Sequence, residues 1–219
     1  MIRSIITDIE GTTTPISFVH RVLFPYARER LCDFLAHNPE HASLANVPEP
    51  RLETLINWMD RDEKITSLKS IQGEIWSDGF AKGLITGEVY KDVPPALRSW
   101  SEAGQNLFVF SSGSVGAQKL LFGHTTEGDL TPLFKAFFDT NIGSKKNSHS
   151  YRSILHAIGG HPSEALFLSD VEAELAAAAD EGLSVCQLVR SEDKTLPCAR
   201  YKIAHDFYDV SSLFGLPCE

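Results

Sequence analysis

The segment Ile2–Pro15, which reads IRSIITDIEGTTTP, decides the fold class of this chain. Its first part, Ile2–Thr7, is apolar and β-branched, and Asp8 follows directly. A short run of this kind is typical of a strand that is buried on both faces of a parallel sheet. The polar residues after it lie where such a strand turns out of the sheet. The segment therefore predicts a first strand that ends at a cluster of polar side chains.

Further short apolar runs along the chain have the same strand character. They are Leu107–Phe110, Ala165–Leu168, Val185–Val189 and the shorter Ala136–Phe138. Helical patterns with conventional ends separate them: one opens at Pro94 and Pro95, Ser148–Ile158 precedes Gly159, and Glu172–Glu181 precedes Gly182. This alternation predicts an α/β fold with a doubly wound, mainly parallel sheet.

The first strand is followed by about a hundred residues before the next one, which is far more than a crossover needs. Within that stretch, Val19–Leu35 and Ile65–Leu84 carry apolar residues at intervals of three and four, as amphipathic helices do. We expect Asn38–Pro50, with its three prolines, to be a loop. The sequence predicts a helical cap at residues 16–92, inserted into a catalytic core of residues 1–15 and 93–219.

Composition limits the possible partners. The chain has 219 residues, 42% of them hydrophobic, and a formal net charge of -9. A chain this acidic offers no polycationic surface for nucleic acid. Its longest apolar runs are strand-sized, so we expect no membrane span. An anionic substrate would instead require a divalent cation and a few well-placed polar residues.

The cysteine and histidine spacings do not suggest a structural metal site. Cys32, Cys186, Cys198 and Cys218 are far apart and the start is not signal-like, so we expect reduced thiols and a cytoplasmic location. His37 and His41 have a helical spacing, but Asn38-Pro39 should break that helix. We therefore expect a solvated loop there.

Ligands of open α/β sheets bind beyond the carboxyl ends of the strands, so the residues that end each predicted strand are the candidates for a site. Asp8 can attack phosphorus and form an aspartyl-phosphate. Glu10 can protonate the leaving oxygen and then activate water. Asp8 and Asp170, with Glu10 nearby, are suited to hold Mg²⁺. Ser111 can hydrogen-bond a phosphate oxygen, and Lys145 can offset the developing negative charge.

Each of these residues taken singly has an ordinary structural interpretation. Asp and Ser at strand ends are common caps and turn residues, and a single lysine is usually solvated. Together, in this order, they favour a magnesium-dependent phosphohydrolase acting on a small phosphorylated substrate. A non-enzymatic phospho-aspartate switch would also use Asp, Ser and Lys, although Glu10 and the large insert argue against it. A phosphatase for another phosphomonoester, or a phosphomutase, stays open.

At these residues the sequence resembles the haloacid dehalogenase superfamily, whose motifs are an Asp-x-Asp-Gly-Thr strand end, a Ser or Thr, a Lys and a final acidic motif. Here Glu10 replaces the second Asp. With that change, Asp8–Ile16 resembles the enolase-phosphatase family of methionine salvage, also called acireductone synthases. Further similar stretches are Leu23–Tyr26, Leu68–Lys69, Gln72–Gly73, Trp76, Ser111–Val115, Ala117–His124 and Phe138–Thr140.

The resemblance implies enolisation and then dephosphorylation of 2,3-diketo-5-methylthiopentyl-1-phosphate. We expect the enzyme to be a monomer. Asn147 departs from the family pattern, in which a Glu commonly follows the Lys by two residues. Glu172 and Glu174 could support the metal from behind its ligands, but a Glu-Ala-Glu run is more often a solvated helix face, which we expect here. In the cap, Gln72 is a candidate substrate contact, whereas Trp76 is expected in the core. The implied magnesium site is Asp8, Glu10 and Asp170, and the implied phosphate and substrate contacts are Ser111, Ser112 and Lys145.

Overall fold

A computed structural model of the chain describes residues 1–218. Six strands form one parallel sheet in the order β3-β2-β1-β4-β5-β6. This confirms the predicted α/β class and the parallel sheet. The sixth strand was not predicted, because it is only three residues long and lies at the sheet edge. The strands are β1 Ser4–Thr7, β2 Asn106–Phe110, β3 Phe134–Phe138, β4 Ala165–Ser169, β5 Ser184–Leu188 and β6 Lys202–Ala204.

The strand order brings the predicted site motifs together. β1 lies at the centre, and Thr7 pairs with Val109 of β2 and with Leu168 of β4. Since parallel strands all end at the same edge, the residues that follow these three strands become neighbours. The sequence places Asp8 and Ser111 after two of them and Asp170 after the third.

Helices cover the sheet because its strands are apolar on both faces. The helices that follow or connect the sheet strands from β2 onward, with the one that precedes β2, are α5 Val93–Glu102, α6 Val115–Gly123, α7 Ser148–Ile158, α8 Glu172–Asp180 and α9 Phe207–Phe214. Tyr151 of α7 and Leu175 of α8 pack with Phe167 of β4 in one core cluster. Trp100 of α5 stacks on Phe207 of α9, with ring centroids 5.1 Å apart. The packing of α7 and α8, and that of α5 and α9, holds the strands in place and so positions the loops at their ends.

By contacts, the chain divides into two compact units, one of Met1–Ile16 with the chain from Gly87 onward and the other of Ser17–Thr86. The second unit is helical. Its helices are α1 Ile16–Phe18, which begins at the boundary, a π-helical turn Val19–Leu23, α2 Phe24–His37, α3 Arg51–Asp60 and α4 Thr66–Ala81, with a 3-10 turn at Ala42–Asn46. The π turn precedes Pro25, whose missing N–H and bulky ring disturb a regular helix.

The apolar stripe predicted within Val19–Leu35 is buried at Leu23, Ala27 and Leu31, and Phe34 at its end is half-buried. Trp76 is buried too, and its Nε1 donates to the Leu23 carbonyl at 2.8 Å, as expected of a core residue. His41 caps the 3-10 turn by accepting the Ser43 N–H, and its Nε2 lies 2.7 Å from Glu74 Oε1. These contacts give His41 a structural role.

No helix within residues 1–218 is long and apolar enough to cross a bilayer. All four cysteines are free: Cys32 and Cys218 are exposed, and Cys186 and Cys198 are buried. Burial raises the pKa of the Cys186 thiol to about 12. That thiol is therefore protonated and unreactive at neutral pH.

Candidate active site

Asp8 lies at the point where β1 leaves the sheet, and its side chain is buried. Its N–H donates to the Leu168 carbonyl at 2.9 Å, which extends the sheet by one residue. Oδ1 accepts the Ile9 N–H at 2.7 Å. Oδ2 lies farther from its neighbour, at 3.5 Å from the Ser169 hydroxyl. The two oxygens therefore differ: Oδ1 is firmly held, and Oδ2 has lone pairs available for a ligand.

The loop after Asp8 is a compact turn built around one carbonyl. The Ile9 oxygen accepts the N–H groups of Thr12, Thr13 and Thr14 at 2.9–3.1 Å. Gly11 has φ +72°, and a Cβ there would lie 2.6 Å from Asp170 Oδ2. Only glycine combines this conformation with such a close approach. The turn thereby brings the Asp170 carboxylate against the backbone that follows Glu10.

Lys145 is the buried cation of the site. Its Nζ lies 2.6 Å from Asp8 Oδ1 and 2.7 Å from Glu174 Oε2. Burial alone would lower the pKa of Lys145, but the charges of Asp8 and Glu174 raise it to about 12. Tyr151 donates a hydrogen bond to the Lys145 carbonyl at 2.7 Å, which fixes the backbone. Lys145 is thus held in its charged form beside Asp8.

Glu174 corrects the expectation that both glutamates at the start of α8 are solvated. Glu172 is exposed, but Glu174 is only 7% exposed. Besides the ion pair with Lys145, Glu174 Oε2 accepts the Ser169 hydroxyl at 2.9 Å. Burial, with the charge of Asp8, raises the pKa of the Glu174 carboxyl. The sequence signal is weak: Ala178, four residues later on the same helix face, is apolar.

Glu10 and Ser111 meet across two neighbouring strand ends. Ser111 Oγ donates to Glu10 Oε2 at 3.3 Å and accepts the Gly113 N–H at 3.1 Å. Burial, with the charge of Asp8, raises the pKa of the Glu10 carboxyl. A raised pKa suits a group that must donate a proton and later accept one.

The turn after β2 is fixed by a residue that sequence reasoning did not identify. Gln118 is buried, and its Nε2 donates to the carbonyls of Gly113 and Phe138 at 2.8 and 2.9 Å. It therefore ties the turn carrying Ser111 and Ser112 to the end of β3. Ser112 is half-buried in this turn.

Asn147, where the resemblance led us to expect a Glu, is the N-cap of α7. Its Oδ1 accepts the His149 N–H at 3.0 Å. Asparagine is among the residues that fulfil this role well. Asn147 therefore caps a helix that begins three residues after Lys145.

The site carries more negative than positive charge. Asp8, Glu10, Asp170 and Glu174 converge on one lysine, Lys145. Burial, followed by the charges of Asp8 and Glu174, raises the pKa of Asp170 to about 7. Within residues 1–218, no three acidic, histidine or cysteine side chains form a ready-made metal site. The oxygen donors and their uncompensated charge nevertheless fit a hard divalent cation.

A strand-end aspartate, a serine, a lysine and a closing acidic motif on a parallel sheet define a class of phosphohydrolases. Residues 2–182 match the family of haloacid dehalogenase-like hydrolases. The chain belongs to this family, which confirms the predicted resemblance.

Within this family, the chain is similar to proteins of one kind over nearly its full length. Enolase-phosphatase E1 of Granulibacter bethesdensis is 52% identical over 98% of this chain and 97% of that protein. Enolase-phosphatase E1 of Acidiphilium cryptum is 50% identical, covering 97% and 96% of the two chains. The crystal structure of UTR4 protein from Saccharomyces cerevisiae has a TM-score of 0.81 at 31% identity, covering 94% of this chain and 98% of that one. Each of these relatives covers between 94% and 98% of this chain.

Proposed function

We propose that the chain is a bifunctional enolase-phosphatase of methionine salvage. It would convert 2,3-diketo-5-methylthiopentyl-1-phosphate, by enolisation and then dephosphorylation, to the acireductone 1,2-dihydroxy-3-keto-5-methylthiopentene. The observation that carries the proposal is the buried Lys145, paired with Asp8 and Glu174 beside the Glu10–Ser111 contact. It occurs in a chain about half identical to enolase-phosphatases along nearly its full length.

In the phosphatase step, Asp8 is the nucleophile. Oδ2 is the attacking oxygen, because Oδ1 is already engaged by the Ile9 N–H and by Lys145. A bond forms between Oδ2 and phosphorus while the bond from phosphorus to the substrate oxygen breaks. The product of this half-reaction is an aspartyl-phosphate and a free enol.

Glu10 serves both halves of the phosphatase step. It gives its proton to the leaving oxygen, and the raised pKa of its carboxyl supports that role. The resulting carboxylate then takes a proton from the water that attacks the aspartyl-phosphate. Phosphate leaves, and both Asp8 and Glu10 return to their starting forms.

Lys145, Ser111 and Ser112 bind the phosphoryl group. The Lys145 ammonium faces the charge that develops in transfer, and its surroundings keep it protonated. The Ser111 hydroxyl exchanges its contact with Glu10 for a phosphate oxygen. The same donors stabilise the enolate oxygen of the first step, so one polar pocket serves both reactions.

Asp8, Glu10 and Asp170 would hold Mg²⁺. When bound, this ion neutralises the carboxylates and polarises the oxygens of the substrate. The excess of acidic over basic groups in the site supports this assignment. We also propose that residues 1–15 and 93–219 act as the catalytic core, that residues 16–92 act as the cap, and that the enzyme works as a cytoplasmic monomer.

The proposal is tested by supplying the diketo phosphate with Mg²⁺ and following the enol ultraviolet band and phosphate release together. We expect the enol band to rise first and phosphate to follow. Excess chelator should stop phosphate release, and added Mg²⁺ should restore it. Cleavage of generic phosphomonoesters without either signal from the diketo phosphate would rule out the specific activity.

A further inference from the structure

Arg190 reaches the loop that carries Asp8 and Glu10, although it follows β5 by two residues. Arg190 is only 3% exposed. Its Nε and Nη2 both donate to the Thr12 carbonyl, at 3.2 and 2.7 Å. Thr12 is two residues beyond Glu10. A guanidinium is thus bound to the backbone of the catalytic loop from a strand that is not adjacent to β1.

The guanidinium is held in one orientation. Nη1 and Nη2 donate to Asp92 Oδ1 and Oδ2 at 2.9 and 3.0 Å, and Nη1 also donates to the His205 carbonyl at 3.2 Å. All five N–H groups of Arg190 therefore have an acceptor. The group also lies over the Tyr90 ring, 4.0 Å from its centroid. Such a fork cannot rotate without losing several hydrogen bonds.

The backbone after Thr12 is held by the same part of the molecule. The Tyr90 N–H donates to the Thr13 carbonyl at 3.0 Å. Asp193 accepts the Ile16 N–H at 3.0 Å through Oδ1, and the Tyr90 hydroxyl through Oδ2. The segment from Thr12 to Ile16 is thus fixed at three backbone groups.

These external hydrogen bonds add to those within the loop, where the Thr13 hydroxyl donates to the carbonyls of Asp8 and Ile9. Within residues 1–218, the buried hydroxyls of Thr12 and Thr14 have no hydrogen-bond partner. Glu10 must come within hydrogen-bond distance of the leaving oxygen and then of water. A displacement of about 1 Å can reduce a rate on the order of 10²-fold.

We propose that Arg190 is a positioning residue for phosphoryl transfer. It holds the Thr12 carbonyl so that Glu10 is placed correctly, and it does not touch the reacting atoms. Asp92 orients Arg190 and neutralises its charge. This inference rests on the proposed function, and it assigns to the chain a catalytic dependence on a residue outside the four motifs.

The test must separate positioning from simple stabilisation. Arg190→Met leaves the partly buried Asp92 unpaired, which destabilises the fold whatever the role of Arg190. The double variant Arg190→Met/Asp92→Asn removes both charges and keeps an oxygen for the Phe207 N–H, which donates to Asp92 Oδ2 at 2.8 Å. We expect the double variant to regain much of the melting temperature. Its kcat for phosphate release should stay reduced on the order of 10²-fold, with KM little changed.

A matched control is Arg152→Met/Glu181→Gln. Arg152 and Glu181 also form a two-bond pair, with both distances 3.0 Å, and the arginine is exposed. That variant should keep the wild-type kcat. If the first double variant does not fold, Arg190→Lys gives the same comparison. It keeps the charge without the fork and should lose about tenfold in kcat.

Both the diketo phosphate and a generic phosphomonoester should be assayed, since each requires the catalytic loop. A wild-type protein that cleaves only the generic ester contradicts the proposed substrate, while the variants are still compared on that ester. Wild-type kcat in the folded double variant, or in Arg190→Lys, would overturn the role of Arg190. A reduced kcat in a variant with restored melting temperature supports it.

Discussion

Two regions of the molecule contain the same ionic chemistry in opposite surroundings. In the sheet unit, Lys145 pairs with Asp8 and Glu174, and the three side chains are 4–10% exposed. In the helical unit, Arg28 pairs with Asp60, and these side chains are 45% and 54% exposed. Water screens the second pair, so it contributes about 0–1 kcal/mol. Lys145, Asp8 and Glu174 are shielded from solvent, so the cost of burying their charges must be offset by the interactions among these three side chains.

The exposed fraction of an ion pair indicates whether its charges are associated with function. Exposed pairs are tolerated because they cost little. A buried set with an excess of carboxylates is costly to maintain, and such sets are concentrated at functional sites. Changes at the buried set should therefore affect activity strongly, whereas matched changes at exposed residues should not.

The largest effect is expected from Asp8→Asn. An amide oxygen is a poor nucleophile, so no acyl phosphate forms and phosphate release should stop. The shape is preserved, and the Ile9 N–H keeps an acceptor. Phosphate release measured on the folded variant checks this, with its circular dichroism spectrum as the folding control. Measurable turnover at the wild-type rate would exclude Asp8 as the nucleophile.

Lys145→Ala should have the next largest effect, because it removes the only lysine of the buried set. A loss on the order of 10²–10³-fold in kcat is expected. The matched control is Lys146→Ala, since Lys146 is the next residue and is exposed. It should retain the wild-type rate. Equal rates in the two variants would mean that burial does not distinguish these lysines functionally.

Glu174→Gln should have a moderate effect, because Lys145 keeps Asp8 but loses its second charged partner. We expect kcat to fall by about tenfold, as for a residue that orients a group in contact with substrate or metal. Glu172→Gln, two residues earlier and exposed, is the control and should be neutral. An unchanged kcat in Glu174→Gln would show that Glu174 has only a structural role.

The smallest effect is expected at the exposed pair of the helical unit. Arg28→Met should change the free energy of unfolding by no more than about 1 kcal/mol and leave kcat unchanged. Urea denaturation and the phosphate assay check both quantities. A large loss of activity here would show that an exposed ion pair of the helical unit contributes to catalysis.

Much of the site was predictable because its residues follow strands. Short apolar runs locate β1, β2 and β4, and parallel pairing brings Asp8, Ser111 and Asp170 to one edge. Lys145 was found by the same reasoning after β3. Strand polarity converts positions in sequence into neighbours in space, and no finer geometry is needed for that step.

The contacts that orient these residues were harder to predict. Glu174 lies on a helix where its burial depends on how α8 is rotated against the sheet, and Gln118 acts through two backbone carbonyls. Arg190 contacts the Thr12 carbonyl from far along the chain, and no local sequence pattern predicts this contact. These are tertiary contacts of single side chains, so composition and periodicity give only weak signals for them.

In the proposed mechanism, Asp8 carries the phosphoryl group between the two halves of the reaction. Glu10→Gln keeps the nucleophile but removes the acid and base, so turnover should fall by about 10²–10⁴-fold and the intermediate should persist. We would mix this variant with substrate labelled on phosphorus, quench in acid and map the label. We expect labelled peptide containing Asp8, and none in the double variant Asp8→Asn/Glu10→Gln. Label on another residue, or equal labelling of the two variants, would contradict it.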